Sequence, residues 1–254
     1  MADKPLILIT NDDSIKAPGI RALIETVRPF GKVVVLAPDR PQSGTAHAVT
    51  INIPLRIELI TREDDYEEYC CNGTPADCVK LAFKVILKRK PDFLFSGINH
   101  GTNASINIIY SGTMAAVFEG AMGGVPSVGF SLDDYSMNAD FKSSRKFVHT
   151  IVEKVIRHGL PNGVCLNVNI PAVPEHEIKG MKVCRQAAGT WLEDFDERED
   201  PNGRKYYWMK GVFVKIGDGP DTDQWAVEHQ YVALVPVQFD FTANKVIASI
   251  QQWF

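Results

Sequence analysis

Residues 32–38 read KVVVLAP, an apolar, β-branched run with no polar residue alternating through it. A strand with one face in water alternates, so this run marks a strand covered on both faces, as in a parallel sheet. Leu6–Thr10 (LILIT) and Asp92–Ser96 (DFLFS) read as further buried strands, and Val125–Leu132 and Val164–Ile170 (VCLNVNI) complete the sheet candidates. Helical segments at Pro18–Phe30, Thr74–Leu87, Ser111–Gly123 and Ala139–His158 fall between these runs. Strands alternating with helices at this spacing predict a doubly wound, mostly parallel α/β sheet.

Other stretches behave differently. Residues 48–60 alternate and are expected to face solvent in part, and the acidic cluster Glu63–Glu68 is expected as a solvated turn. Gly73-Thr74-Pro75-Ala76-Asp77 reads as a helix start, with Asp77 as a capping residue. Beyond about Pro171 the character changes: Thr190–Lys215 predicts a hairpin arm, followed by a short strand (YVALVPV) and a C-terminal helix ending in Trp253-Phe254.

The 254 residues, 45% hydrophobic, suffice for one large domain with an appendage. The net charge of -4 gives no signature of a nucleic-acid polymer or a polybasic membrane contact. The absence of a long apolar run leads to the expectation of a cytoplasmic protein without a membrane segment. Five cysteines without a CxxC pair are expected as small buried side chains in a reducing compartment.

Open α/β sheets bind ligands beyond the carboxyl ends of their strands. Past the first strand come Asn11, Asp12, Asp13 and Ser14; past the second, Asp39, Arg40, Gln42, Ser43, Gly44 and His47. Past the third come Asn99, His100, Gly101, Thr102 and Asn103. Adjacent carboxylates repel unless something positive lies between them. Carboxylate, hydroxyl and amide oxygens suit a hard divalent cation such as Mg²⁺ or Mn²⁺. His47 and His100 lack the paired spacing of a zinc site and are expected to pack or support. Tyr110-Ser111-Gly112-Thr113-Met114 opens an apolar helix, where free N–H groups, two hydroxyls and a glycine make a phosphate cradle. A cation beside an anion cradle points to phosphoryl hydrolysis. No GxSxG, Walker A or GxGxxG sequence is present.

The segments ITNDDSIKAPGI, VLAPDRPQSGTAH, NGTPADCV, FSGINHGTN, YSGTMAAVFEG and LNVNIP, in this order, resemble the SurE survival-protein nucleotidases. DTDQWAVEHQYVALVPV resembles their distal segment more loosely. The resemblance implies a Rossmann-like catalytic core over 1–185. It also implies a C-terminal extension over 186–254 that serves oligomerisation, as a homodimer or homotetramer, and partly returns to the core. It implies hydrolysis of nucleoside 5′- and 3′-monophosphates, and of short polyphosphate, with one divalent ion, Mg²⁺ or Mn²⁺. The metal positions fall on Asp12, Asp13, Ser43 and Asn99. The phosphate positions fall on Asn103, Ser111, Gly112 and Thr113, and Asp12 or Asp13 is the expected proton acceptor. Two positions depart from the family's pattern: Ser14 and Gln230 stand where glycine is usual.

Three alternatives stand beside this one. A receiver-like signalling domain needs a phospho-accepting aspartate after the third strand, where this chain has Ser96-Gly97. A haloacid-dehalogenase-type phosphatase needs Asp-x-Asp, with which Asn11-Asp12-Asp13 is out of phase. A non-catalytic metal- or nucleotide-binding or assembly protein is favoured if the arm dominates and the metal site is empty.

Overall fold

The computed structural model describes residues 4–136, 138–217 and 219–254. Its central sheet forms from β1 (Leu6–Thr10), β2 (Lys32–Pro38), β3 (Ile57–Glu63), β4 (Tyr66–Cys71), β5 (Phe93–His100), β6 (Ser127–Leu132), β7 (Val164–Ile170), β8 (Gly180–Val183) and β11 (Tyr231–Gln238). The spatial order is β3-β4-β2-β1-β5-β6-β7-β11-β8. The six central strands, β4 to β7 in that order, are parallel, whereas β3 and β11 run antiparallel to β4 and β7.

Side chains of a strand alternate between faces, and here both faces are covered. Ile7 and Ile9 point toward α1 (Pro18–Val27) and α4 (Lys142–His158), whose Leu23, Phe147, Ile151 and Val152 complete one core. Leu6 and Leu8 join the other core with Val79 of α2 (Pro75–Leu81) and with Met114 and Val117 of α3 (Gly112–Met122). The chain reverses its winding between β1 and β5. The loops after β1, β2 and β5 therefore meet at one edge, the switch point where such sheets hold ligands.

The expected α/β architecture is present, with local differences. The first helix stops at Val27 and the chain continues as a 3₁₀ turn through Pro29. Of residues 48–60, only those from Ile57 onward form strand; Ile51 and Ile53 are exposed in the irregular segment before β3. The acidic cluster is not a solvated turn. Only Asp64 and Asp65 lie between β3 and β4, and Glu68 is buried on β4, paired with Arg21 Nη1 at 2.9 Å and with the Tyr66 hydroxyl. A charge run misleads here because a half-buried arginine of α1, Arg21, pairs with one of its members. Asp77 is a cap: its carboxylate accepts from Thr74 N (2.9 Å) while Thr74 Oγ1 accepts from Asp77 N (3.2 Å). All five cysteines are free, four of them buried.

Residues 189–215 form the expected hairpin, β9 (Gly189–Glu199) against β10 (Lys205–Lys215), which among the described residues pairs with no other strand. α5 (Asp223–Glu228) then leads into β11, which enters the sheet between β7 and β8. The terminal helix α6 (Ile247–Gln251) is one turn long and exposed. Among the described residues no helix is long and apolar enough to cross a membrane.

Candidate active site

β1 ends buried, and its last residues deliver Asp12 to the floor of a cavity of about 480 Å³. Asp12 Oδ1 accepts a hydrogen bond from the Thr113 hydroxyl, which joins β1 to the first turn of α3. Its backbone oxygen accepts from Gln42 N at 2.7 Å, which brings the Ser43 loop alongside. Asp13 turns the other way, its Oδ2 accepting from His100 N at 3.0 Å at the end of β5. Three separate loops thus converge on two adjacent carboxylates.

The neighbouring asparagines are fixed by their own hydrogen bonds. Asn99 donates through Nδ2 to the carbonyls of His100 (3.1 Å) and Gly101 (2.8 Å). Both amide hydrogens are thereby used, and Oδ1 remains as the side chain's free acceptor on a residue lining the cavity. Asn103 donates to Ser131 Oγ at 2.8 Å, and its backbone is clamped by Asn167 and Asn169. Those two asparagines sit two apart on β7 and so face the same side. Ser111 caps α3 by accepting from Met114 N (3.1 Å). Gly112 packs on Asp12: a Cβ there would lie 2.7 Å from Asp12 Cβ and 3.0 Å from Oδ2.

Asp12, Ser43, Asn99, Asn103 and Ser111 line the cavity directly. Asp13, Gly112 and Thr113 stand behind that lining, in contact with His100 or with Asp12. His47 does not line the cavity; it bonds Glu119 Oε1 at 2.8 Å, and Lys80 holds the other oxygen of that carboxylate at 2.6 Å. The His100 ring packs edge-on against Phe141. His47 thus packs away from the cavity, whereas His100 lines it with its ring Nδ1 3.9 Å from Asp13 Oδ2.

Burial, and then the charge of Asp13, push the Asp12 carboxyl up to about 6, against the pull of the Thr113 hydrogen bond. Burial raises Asp13 as well, opposed by the His100 amide. Among the described residues no group of three or more His, Cys, Asp or Glu side chains could hold a metal. A cation at this edge would be held by two carboxylates together with neutral hydroxyl and amide oxygens. The free Asn99 Oδ1 and the second oxygens of Asp12 and Asp13 make a donor set of that kind, fit for a hard ion.

Sequence reasoning missed the rest of the wall. Tyr110 and Tyr135 stand at the cavity with Asn107, and the arm contributes Trp191, Glu193 and Lys210. The only signal for Tyr110 was its place beside the α3 cap. For the arm residues there was none, because a hairpin's docking position follows from the path of the chain rather than from its pattern.

The survival protein SurE family model matches residues 7–193. The chain belongs to the SurE family. Among its relatives, the protein named 5′-nucleotidase SurE from Christiangramia forsetii is 57% identical, covering 98% of this chain and 97% of its own length. A protein of the same name from Flavobacterium johnsoniae is 53% identical, covering 99% and 97%. The crystal structure of a SurE protein from Aquifex aeolicus superposes with a TM-score of 0.84 at 40% identity, over 98% of this chain and 99% of that one. The SurE departures noted in the sequence both fall on unusual backbone: Ser14 has φ 100° and Gln230 has φ 67°. The family's usual glycine is explained at both places by a conformation that side chains disfavour.

Proposed function

We propose that this SurE chain is a metal-dependent phosphomonoesterase that hydrolyses nucleoside 5′-monophosphates, with 3′-monophosphates and short polyphosphate as further substrates. The observation that carries this reading is one of charge. The buried Asp12 carboxylate, with the Asp13 carboxylate behind it, sits at the floor of a cavity whose described lining holds a single lysine or arginine, Lys210, at the arm. A phosphate dianion entering that floor needs a cation between itself and the carboxylates.

Asp12, Asp13, Ser43 and Asn99 would hold one Mg²⁺ or Mn²⁺, which when bound supplies Lewis acidity at the phosphoryl group and a more acidic water. The chain's own residues do the positioning. Thr113 fixes the rotamer of Asp12, Ser111 at the head of α3 lines the cavity where the anion would lie, and the Asn103 amide, held by Ser131, orients an equatorial oxygen. Asp12 or Asp13 accepts the proton of the attacking water. The receiver-like alternative has no support at Ser96, a fully buried serine where that reading needs an aspartate.

We read residues 1–185 as the catalytic core and 186–254 as an extension for assembly, in a cytoplasmic homodimer or homotetramer. The arm exposes Leu192, Phe195, Trp208, Met209 and Val212. An isolated two-stranded hairpin is marginally stable in water, so an apolar arm of this kind is expected to lie against a second copy. A phosphate-release screen across nucleoside monophosphates and simple phosphomonoesters, repeated with each divalent metal, tests the reaction. Release confined to metal-containing samples supports it, and no release from any phosphomonoester overturns it.

A further inference from the structure

We infer that Trp191, held by Asn107, is a specificity-determining wall that selects substrates carrying an aromatic base. The inference rests on the phosphomonoesterase reading and adds to it which end of the substrate the arm recognises. The floor of the cavity is polar, built from Asp12, Asn99, Asn103 and Ser111, whereas its upper wall is aromatic. Tyr110 and Tyr135 contribute rings that are about half and two-thirds exposed (48% and 68%). Trp191 faces the same cavity from β9, on a hairpin that pairs with no described strand of the central sheet.

The Trp191 ring is held in place. Its Nε1 donates to Asn107 Oδ1 at 2.9 Å, and its edge meets Phe213 on the paired strand with centroids 5.7 Å apart. Asn107 belongs to the 3₁₀ turn Ser105–Tyr110 that leads directly into the Ser111 cap. The ring's single polar atom is used in fixing it, so what remains for a ligand is an apolar π surface. Indole surfaces of this kind stack on bases without reading their hydrogen-bonding edges. Lys210 does not compete for the role, since its ammonium pairs with Asp194 at 3.3 Å across the hairpin.

A ligand that is dianionic at one end and flat and aromatic at the other matches a polar floor under an aromatic wall. Nucleoside monophosphates have that form; ribose 5-phosphate has the first end alone. Trp191 is therefore assigned as a binding wall for the base, and Asn107 as the residue that positions it.

The test uses the full chain and its Trp191→Ala, Trp191→Phe and Asn107→Ala variants, with kcat and KM measured for AMP, GMP and ribose 5-phosphate at saturating Mn²⁺. Trp191→Ala should lower kcat/KM for both nucleotides by about tenfold or more through KM, as loss of a stacked base does. Ribose 5-phosphate should change by less than about twofold. Trp191→Phe keeps a ring and should keep most of the selectivity, while Asn107→Ala should lose part of it. Equal losses on all three substrates, or none on any, would overturn the assignment. A parent chain inactive on all three would instead remove the phosphomonoesterase reading on which it rests.

Discussion

Thr113, the second residue of α3, donates its hydroxyl hydrogen to Oδ1 of Asp12, the second residue past β1. One hydrogen bond thus joins the carboxylate to the turn that would receive the phosphate. It leaves the other oxygen of Asp12 for a cation.

Asp12→Asn keeps the shape and the Thr113 contact but removes the charge. Turnover should fall by at least about 100-fold with the fold intact by circular dichroism. Divalent ions should raise the melting temperature of the parent at pH 7.5 and leave that of the variant unchanged. Full activity in the variant with metal added would contradict the assignment.

Gly112→Ala puts a methyl group 2.7 Å from Asp12 Cβ. Either the carboxylate or the start of α3 must shift, and a displacement of about 1 Å costs on the order of 100-fold in rate. The expected result is a large fall in kcat with little change in the far-ultraviolet spectrum. Unchanged kinetics would show that the two elements move together without cost.

Ser14 sits at φ 100°, a region glycine occupies freely. Ser14→Gly should stabilise the chain by about 1 kcal/mol, a rise of roughly 2–4 °C in melting temperature for a chain of this size. The same change at Gln230, just past α5, should give a smaller gain. Lower melting temperatures in both would mean that the side chains contribute more than the backbone loses.

Burial, with Glu228 and Asp134 nearby, pushes Asp133 up to about 6. Its carboxyl in the folded chain holds a proton more firmly than in the unfolded chain, where the value is about 3.9. The stabilising contribution is therefore complete below about pH 4 and lost as pH rises through about 6. Asp133→Asn should raise the melting temperature at pH 8 and leave it nearly unchanged at pH 4. Equal shifts at the two pH values would contradict the sign.

The sequence carried most of the sheet, because strands buried on both faces need continuous apolar runs, and those of β1 and β2 are unmistakable. It also carried the loops past β1, β2 and β5, since their position follows from the doubly wound topology. Glu68 was misread because its partner, Arg21, is 47 residues away, and no local pattern reports such a pair. Asn107, Tyr135 and Trp191 were illegible for a related reason. Two of them lie on an irregular loop and on the arm, and only the folded path brings them to the cavity. The strain at Ser14 and Gln230 was legible only through the glycines usual in the family, and the backbone angles give it a cause.

Phosphate released from AMP before and after chelation tests the central claim most directly. With Mn²⁺ or Mg²⁺ the chain should release phosphate steadily; excess EDTA should abolish release, and fresh metal should restore it. Undiminished release in EDTA, or none in any metal, would contradict the account.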